Sequence, residues 1–333
     1  GTTTIVGPLI ASLLLGVADV AGKYYIPGMG AFIIYAAMIV LLCLRPQGLF
    51  ARPVSGVAAP AAAAGGGRAG ALASVARWKA FEYAVWAIAV AALVAFPRQA
   101  ALWNEIAILA LFAVSLDLIL GYAGIVSLGH AAFFGFGCYV AALFAKYAVH
   151  DPLAGLAVAL ASGALLGLVT SPLVLRGSDL TRLMVTLGVA SILYELANRF
   201  DGITGGADGL QVVVIGPLLG AFSFGLDGKV ACAYSLAVLF LLTLVARRLA
   251  FSPFSSALRA IRDNRLRAQA IGIDASRDLA VVYTVAGAMA AAAGALLAQT
   301  TAFASLDVLG FDRSADVMLV LVIGGTGYLY GGI

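Results

Sequence analysis

Charge is what this chain has least of. Only 11% of its 333 residues are Asp, Glu, Lys or Arg, where an ordinary soluble domain carries about a quarter. Cysteine is nearly missing too. Cys43, Cys138 and Cys232 each sit in an apolar run, so neither a disulfide framework nor a thiolate metal site is expected. His130 and His150 are the only histidines, too few for a zinc site of the usual kind. The phosphate-cradling pattern GxxxxGK[ST] does not occur: Lys23 and Lys229 each follow a glycine, but neither precedes Ser or Thr. GxSxG, HExxH and CxxC are absent as well. The chain therefore binds no ATP through a P-loop of its own, and no enzyme constellation is expected.

What fills the sequence instead is apolar. Hydrophobic residues make up 63% and the mean hydropathy is +1.05. The apolar runs are about 20 residues long, helix length for a bilayer, and the short alternation of a membrane barrel is missing. The fold class expected is all-α: a polytopic helical membrane protein of about ten transmembrane segments, with broken or re-entrant glycine-rich helices. Spans are expected at 5–21, 28–44, 80–96, 103–121, 125–145, 153–175, 180–197, 230–246, 279–298 and from 315 onward. The first run lacks a basic start and has another span directly behind it, so it does not read as a signal peptide. Placing 45–79, 176–182 and 247–278 on the cytoplasmic side puts 14 of the 20 Lys and Arg inside, as basic short loops prefer. That bias accounts for the net charge of +4 without a nucleic-acid partner. The loop at 201–229 then lies outside. Residues 51–79 contain a low-complexity Ala/Gly/Pro run and read as a flexible linker between two units.

The longest polar interruption among the spans is FSPFSSALRAIRDNRLRAQAIGIDASRD, 251–278. It carries Arg259, Arg262, Arg265, Arg267 and Arg277, with Arg247 and Arg248 just before it. Its expected form is a short cytoplasmic helix, capped by Ser252, opened by Pro253 and stopped at Gly272. Phe254, Ala257, Leu258 and Ile261 fall on one helical face. That face suits a docked partner; a basic loop that only sets topology and touches lipid headgroups is the plainer alternative.

A second special stretch is GYAGIVSLGHAAFFGFGCY, 121–139. Gly121, Gly124, Gly129, Gly135 and Gly137 crowd into it. Glycines let helices approach closely or break where they line a cavity, and transporters bind substrates at such breaks. Gly163 and Gly167 form a GxxxG expected to serve packing. Among the intramembrane acids Asp19, Glu82, Glu105, Asp117 and Glu195, the pair Glu82 and Glu105 read as interfacial. Asp117 and Glu195 sit deeper, in a polar pathway or in helix-to-helix hydrogen bonds. The candidate path residues are Asp117, Gly121, Gly124, Ser127, Gly129, His130, Gly135 and Glu195. In the outer loop Thr204, Gly205, Gly206, Asp208 and Gly209 form a tight turn that presents a surface to an outside partner or is simply a turn.

At these residues a family resemblance enters. GYAGIVSLGHAAFFGFGCYVAAL, TLGVASILYELANRFDGITGGADGL, SPFSSALRAIRDNRLRAQAIGID and VMLVLVIGGTGYLYGGI resemble, in order, segments of the permease subunits of branched-chain amino acid ABC importers. The resemblance covers 80–333 and is closest to the M-type permease. Residues 1–50, ending RPQGLF, resemble the C-terminal end of an H-type partner permease. The chain begins with Gly1 and ends GGTGYLYGGI, so the expectation is a piece of a fused permease: two helices of one unit at 1–50, a linker at 51–79, and most of a second unit at 80–333.

The resemblance implies a mechanism. Two permease units form a path for leucine, isoleucine or valine across a bacterial inner membrane. A periplasmic binding protein delivers the substrate, and two separate ATPase subunits use the ATP; this chain binds no cofactor. By the same resemblance 252–272 is the coupling segment, with Phe254, Leu258, Arg259, Ile261, Arg262, Ala268 and Gly272 at the ATPase and Thr204–Gly209 toward the binding protein. Many such importers carry Glu-Ala-Ala followed by Gly; here Arg267-Ala268-Gln269-Ala270-Ile271-Gly272 keeps the glycine and lacks the acid. The alternatives are a same-family importer of urea, amides or other amino acids, and an ion-coupled transporter in which Asp117 and Glu195 bind the ion.

Overall fold

The computed structural model describes residues 80–327, apart from 176, 178, 212–214, 219, 221 and 226. The spans expected at 5–21 and 28–44, with Asp19, the linker and residues 328–333 lie outside the described residues. What is described is helical, without a β-strand; isolated bridges join Leu210 to Ala304 and Leu218 to Phe222. The helices are α1 (Ala80–Ala95), α2 (Ala100–Asp117), α3 (Ala131–Tyr147), α4 (Pro152–Val174), α5 (Asp179–Arg199), α6 (Lys229–Ala250), α7 (Pro253–Asp263), α8 (Arg265–Ala270), α9 (Ala275–Thr301) and α10 (Phe311–Gly324). Five segments are long and apolar enough to cross a membrane: α2 with its flanking turns, α4, α5, α6 and α9. The protein is an all-α polytopic membrane protein.

Local chemistry explains several boundaries. Asp151 caps α4 by accepting from the amides of Leu153 and Ala154, and Pro152 takes the first helical position. Pro172 lies inside α4 and leaves the Leu168 carbonyl without its amide donor. The Ser171 hydroxyl donates to that carbonyl at 2.9 Å, so the helix continues. Asp274 caps α9 through the Arg277 amide. Helix α6 runs to Ala250, four residues beyond expectation. Arg247 meets Glu82 of α1 at 2.9 Å, and both side chains are almost wholly buried. Glu82 lies in the first turn of α1, near the end of the span as expected, with its carboxylate buried in protein. A carboxylate placed opposite a guanidinium is tolerated where a lone charge is not. Glu105 is exposed, as its place near the helix end suggests.

The connections sort to two ends. At one end the foot of α2 meets α7, and the Gly327 amide reaches Asp117. At the other, the Gly216 amide donates to His150 O at 2.7 Å and Gln299 Nε2 to Pro152 O at 2.8 Å. Arg247, Arg248, Arg259, Arg262, Arg265, Arg267 and Arg277 all belong to the first end. The positive-inside rule favours this end for the cytoplasm.

Helices α2 and α9 are buried over most of their lengths, while α4 and α5 stand more at the periphery. The centre of the bundle is α9, built around AGAMAAAAGA, 286–295. Its small side chains let α3 and α4 approach to backbone contact, which is how helices gain dispersion energy where lipid removes the hydrophobic drive. A Cβ on Gly137 of α3 would strike the backbone of Ala291, and one on Gly294 would strike the Phe134 carbonyl. Gly163 and Gly167 of α4 lie against Gly287, Ala291 and Thr284, so the GxxxG is a packing motif.

Gly137→Val is expected to destabilise the bundle by about 3 kcal/mol or more, since backbone and not a flexible side chain blocks the added atoms. Gly202→Ala, with nothing within 4 Å of an added Cβ, should be near neutral. Thermal unfolding of the purified protein checks both; equal melting temperatures would contradict this packing.

Candidate functional site: a broken helix gripped by a basic hairpin

Helix α2 does not stop at Asp117. It widens into one π-helical turn, Leu118–Tyr122, and the chain then leaves helical geometry until Ala131. The span expected from residue 125 thus begins as a helix six residues later. Gly124 makes the turn with φ +70°, a left-handed value that costs glycine nothing. Residues 123–130 then run back along α2. His130 reaches Ser115, seven residues above Tyr122, or roughly 10 Å up the helix. The irregular strand is therefore at membrane depth, where its backbone must be covered by protein.

Each polar group there has a definite surrounding. The Ser115 hydroxyl donates to Phe112 O at 2.6 Å, so the neutral His130 ring donates from Nε2 to Ser115 Oγ at 2.9 Å. The ring is fully buried and stacks on Phe112 at 5.4 Å between centroids. Ala131 N–H donates to Ser314 Oγ of α10 at 2.8 Å. Asp117 Oδ1 accepts from the Gly327 amide at 2.7 Å. Asp117 Oδ2, Ser127 Oγ and His130 Nδ1 are buried without a partner among the described residues, each at a cost of roughly 1–3 kcal/mol. Gly129 lies on the backbone of Thr186 in α5, and Gly135 on Leu309. Gly121, Gly129 and Gly135 thus serve close approach. Glu195 lines a cleft that α5 shares with Leu128 of the break and with Leu309.

The cytoplasmic segment forms a hairpin of two helices where one was expected. Asn264 interrupts them in extended geometry, φ −158° and ψ 101°, and its side chain caps α8 at the Arg267 amide. Ser252 occupies the N-cap position of α7, but its hydroxyl donates back to Leu249 O and caps nothing. Pro253 opens α7 as expected. Gly272 ends α8 at φ +91°: its amide donates to Gln269 O and that of Ile273 to Ala268 O, a Schellman arrangement.

The orientation of this hairpin corrects the expected docking face. Leu258 is 3% exposed, Ile261 5% and Ala268 2%; they pack into this chain's own core with Phe254 against them. The apolar face holds the hairpin to the bundle and is not free for a partner. The outward apolar residues are Leu266, 80% exposed, and Ile271, 72% exposed. Sequence reasoning missed them because neither belongs to the apolar stripe of α7.

Two arginines join the hairpin to the break. Arg262 Nη1 donates to the Gly121 carbonyl at the end of the π-turn. The methylenes of Arg262 lie where a Cβ on Gly124 would sit. The Arg259 guanidinium lies 5.1 Å over the Tyr122 ring. A carbonyl released by the helix break is thus met by a side chain from the hairpin. On the opposite face, the outer turn is pinned by Leu210 N–H to Ala304 O at 2.8 Å. Gly206 and Gly209 are buried there and shape the turn; Thr204 and Gly205 are half-buried and Asp208 is exposed.

Residues 98–333 match the family described as branched-chain amino acid transport system / permease component. The chain belongs to that family. Two similar relatives are the high-affinity branched-chain amino acid transport system permease proteins LivM of Salmonella typhimurium strain LT2 and of Escherichia coli K12. Each is 31% identical over 240 residues, covering 64% of this chain and 55% of the relative. The chain spans about half the length of these curated relatives. No solved structure matches it significantly. The permease family is one of transport proteins, and the matched region contains the break, the hairpin and α10 alike.

Arg262→Ala should loosen the break without unfolding the bundle, because this side chain is 43% exposed. Hydrogen exchange at the Ile125 amide, which donates to Ile119 O, is expected to quicken at least fivefold while the melting temperature holds. Unchanged exchange would show that the arginine does not support the break.

Proposed function

We propose that this chain is the membrane-spanning permease unit of an ATP-binding-cassette importer for branched-chain amino acids: leucine, isoleucine and valine. The observation that carries the reading is the clasp between hairpin and break. A polar hairpin on the basic, cytoplasmic end is bonded through Arg262 to the carbonyl of Gly121, where the membrane helix opens. Force applied to the hairpin from outside the bilayer reaches the break through that bond and the packed Leu258 and Ile261. The naming of the LivM relatives as branched-chain amino acid permeases supports the substrate class.

In this reading the protein lies in a bacterial inner membrane and catalyses no reaction itself. Separate ATPase subunits hydrolyse ATP and dock on the exposed part of the hairpin, which carries Leu266 and Ile271 together with Arg265 and Arg267. An apolar pair within a basic rim suits a protein groove with acidic edges. A second permease unit completes the path, and a periplasmic binding protein delivers substrate to the outer end, near Asp208. The chain holds no cofactor of its own.

Substitutions on the two sides of the hairpin separate docking from folding. Leu266→Asp and Ile271→Asp should insert and fold normally yet fail to retain the ATPases on purification. Ile261→Asp places a charge in the bundle's own core and should lower the yield of folded protein instead. ATPases that co-purify undiminished with the Leu266→Asp, Ile271→Asp double variant would remove the docking surface from this face.

A further inference from the structure

A cleft of about 230 Å³ opens between α5, the strand of the break and the turn before α10. Leu128 and Leu187 lie at its inner part, Leu309 and Phe311 along one wall, and Tyr194 and Glu195 toward the outer end of α5. Two glycines bring these elements together: Gly129 of the break lies on Thr186 of α5, and Gly135 of α3 lies on Leu309 before α10.

Glu195 is the acid of this cleft. It is half-buried, and it lies four residues before the end of α5, roughly 6 Å below the outer face. No described residue forms an ion pair with it. The ion pairs of the described residues join Arg182 to Asp179, Lys229 to Asp227, Arg247 to Glu82 and Arg262 to Asp263. Arg199, one turn further along α5, and Arg313, two residues past Phe311, are not among the partners of Glu195. The Ser191 hydroxyl, also in the cleft, donates to Leu187 O at 2.9 Å and so is engaged within its own helix. A half-buried carboxylate between apolar walls attracts a cation more than one in open water does.

We infer that this cleft is a substrate subsite in which Glu195 receives the ammonium group of an aliphatic amino acid, while Leu128, Leu187 and Leu309 receive its branched side chain. The inference rests on the import function proposed above and names the residues that would read the substrate. A neutral amide or urea can donate an N–H to Glu195 but forms no ion pair with it, and leaves the leucine walls unfilled. The subsite therefore favours amino acids over those smaller cargoes. Its place beside the break puts the held molecule next to the element that the hairpin grips.

The test uses the full-length protein reconstituted in vesicles with its ATPases and binding protein. Two quantities are read together: ATP-driven uptake of labelled leucine, and ATPase stimulation by the leucine-loaded binding protein. Glu195→Gln is expected to lower uptake at least tenfold and to leave the stimulation intact, since the residue is remote from the hairpin. Glu195→Asp should recover part of the uptake. Leu187→Trp, which fills the inner part of the cleft, should lower uptake in the same way. Uptake by Glu195→Gln within twofold of the unaltered protein would overturn the subsite. So would loss of uptake and stimulation together, which marks a structural role. An unaltered protein that stimulates its ATPases yet takes up no leucine would reject the proposed function, and the subsite with it.

Discussion

The interaction on which this architecture depends is the satisfaction of backbone groups where a helix is interrupted inside the bilayer. In hydrocarbon an amide or carbonyl without a partner is costly, so irregular chain survives only inside protein. The break and the residues that flank it, 121–131, meet that condition through definite contacts. Ala131 N–H finds Ser314, Ile125 N–H finds Ile119 O, and the Gly121 carbonyl finds Arg262. The small-residue centre of α9 follows from the same need. Alanines and glycines let α3 and α4 close around it.

The Arg262 contact makes this local constraint a long-range one. The donor that completes the break belongs to a hairpin outside the membrane, and the hairpin is held to the bundle by Leu258, Ile261 and Ala268. Displacing the hairpin therefore either carries the foot of α2 with it or strands a carbonyl. Glu82 and Arg247 tie α1 to α6 one turn before that hairpin, and Arg247 also lies 4.9 Å from the Phe251 ring. The hairpin's root is thus set by a buried charge pair, which resists separation because neither charge is stable alone there.

Much of the fold could be read in the sequence, because bilayer thickness leaves so few choices. The spans of α2, α4, α5 and α9 fell close to where their apolar runs placed them, and the crowded glycines of 121–139 marked the break. The family resemblance, read from four segments, agrees with the match over 98–333. What misled was direction. The stripe of Phe254, Leu258 and Ile261 showed an amphipathic helix, but periodicity alone does not say whether the apolar side meets a partner or the chain's own bundle. The buried pairing of Glu82 with Arg247 was not legible, because the two lie 165 residues apart and no local pattern joins them. Of the candidate path residues, Asp117, Ser127 and His130 are buried among packed helices, and Glu195 lines a cleft.

We propose that transport by this chain is driven by ATP hydrolysed in separate subunits and transmitted through the hairpin. Uptake of labelled leucine by vesicles holding the full-length protein tests it most directly when the ATPases, ATP and binding protein are omitted one at a time. The account predicts uptake only with all three present, and none under an ion gradient alone. Uptake driven by an ion gradient without the ATPases would contradict it.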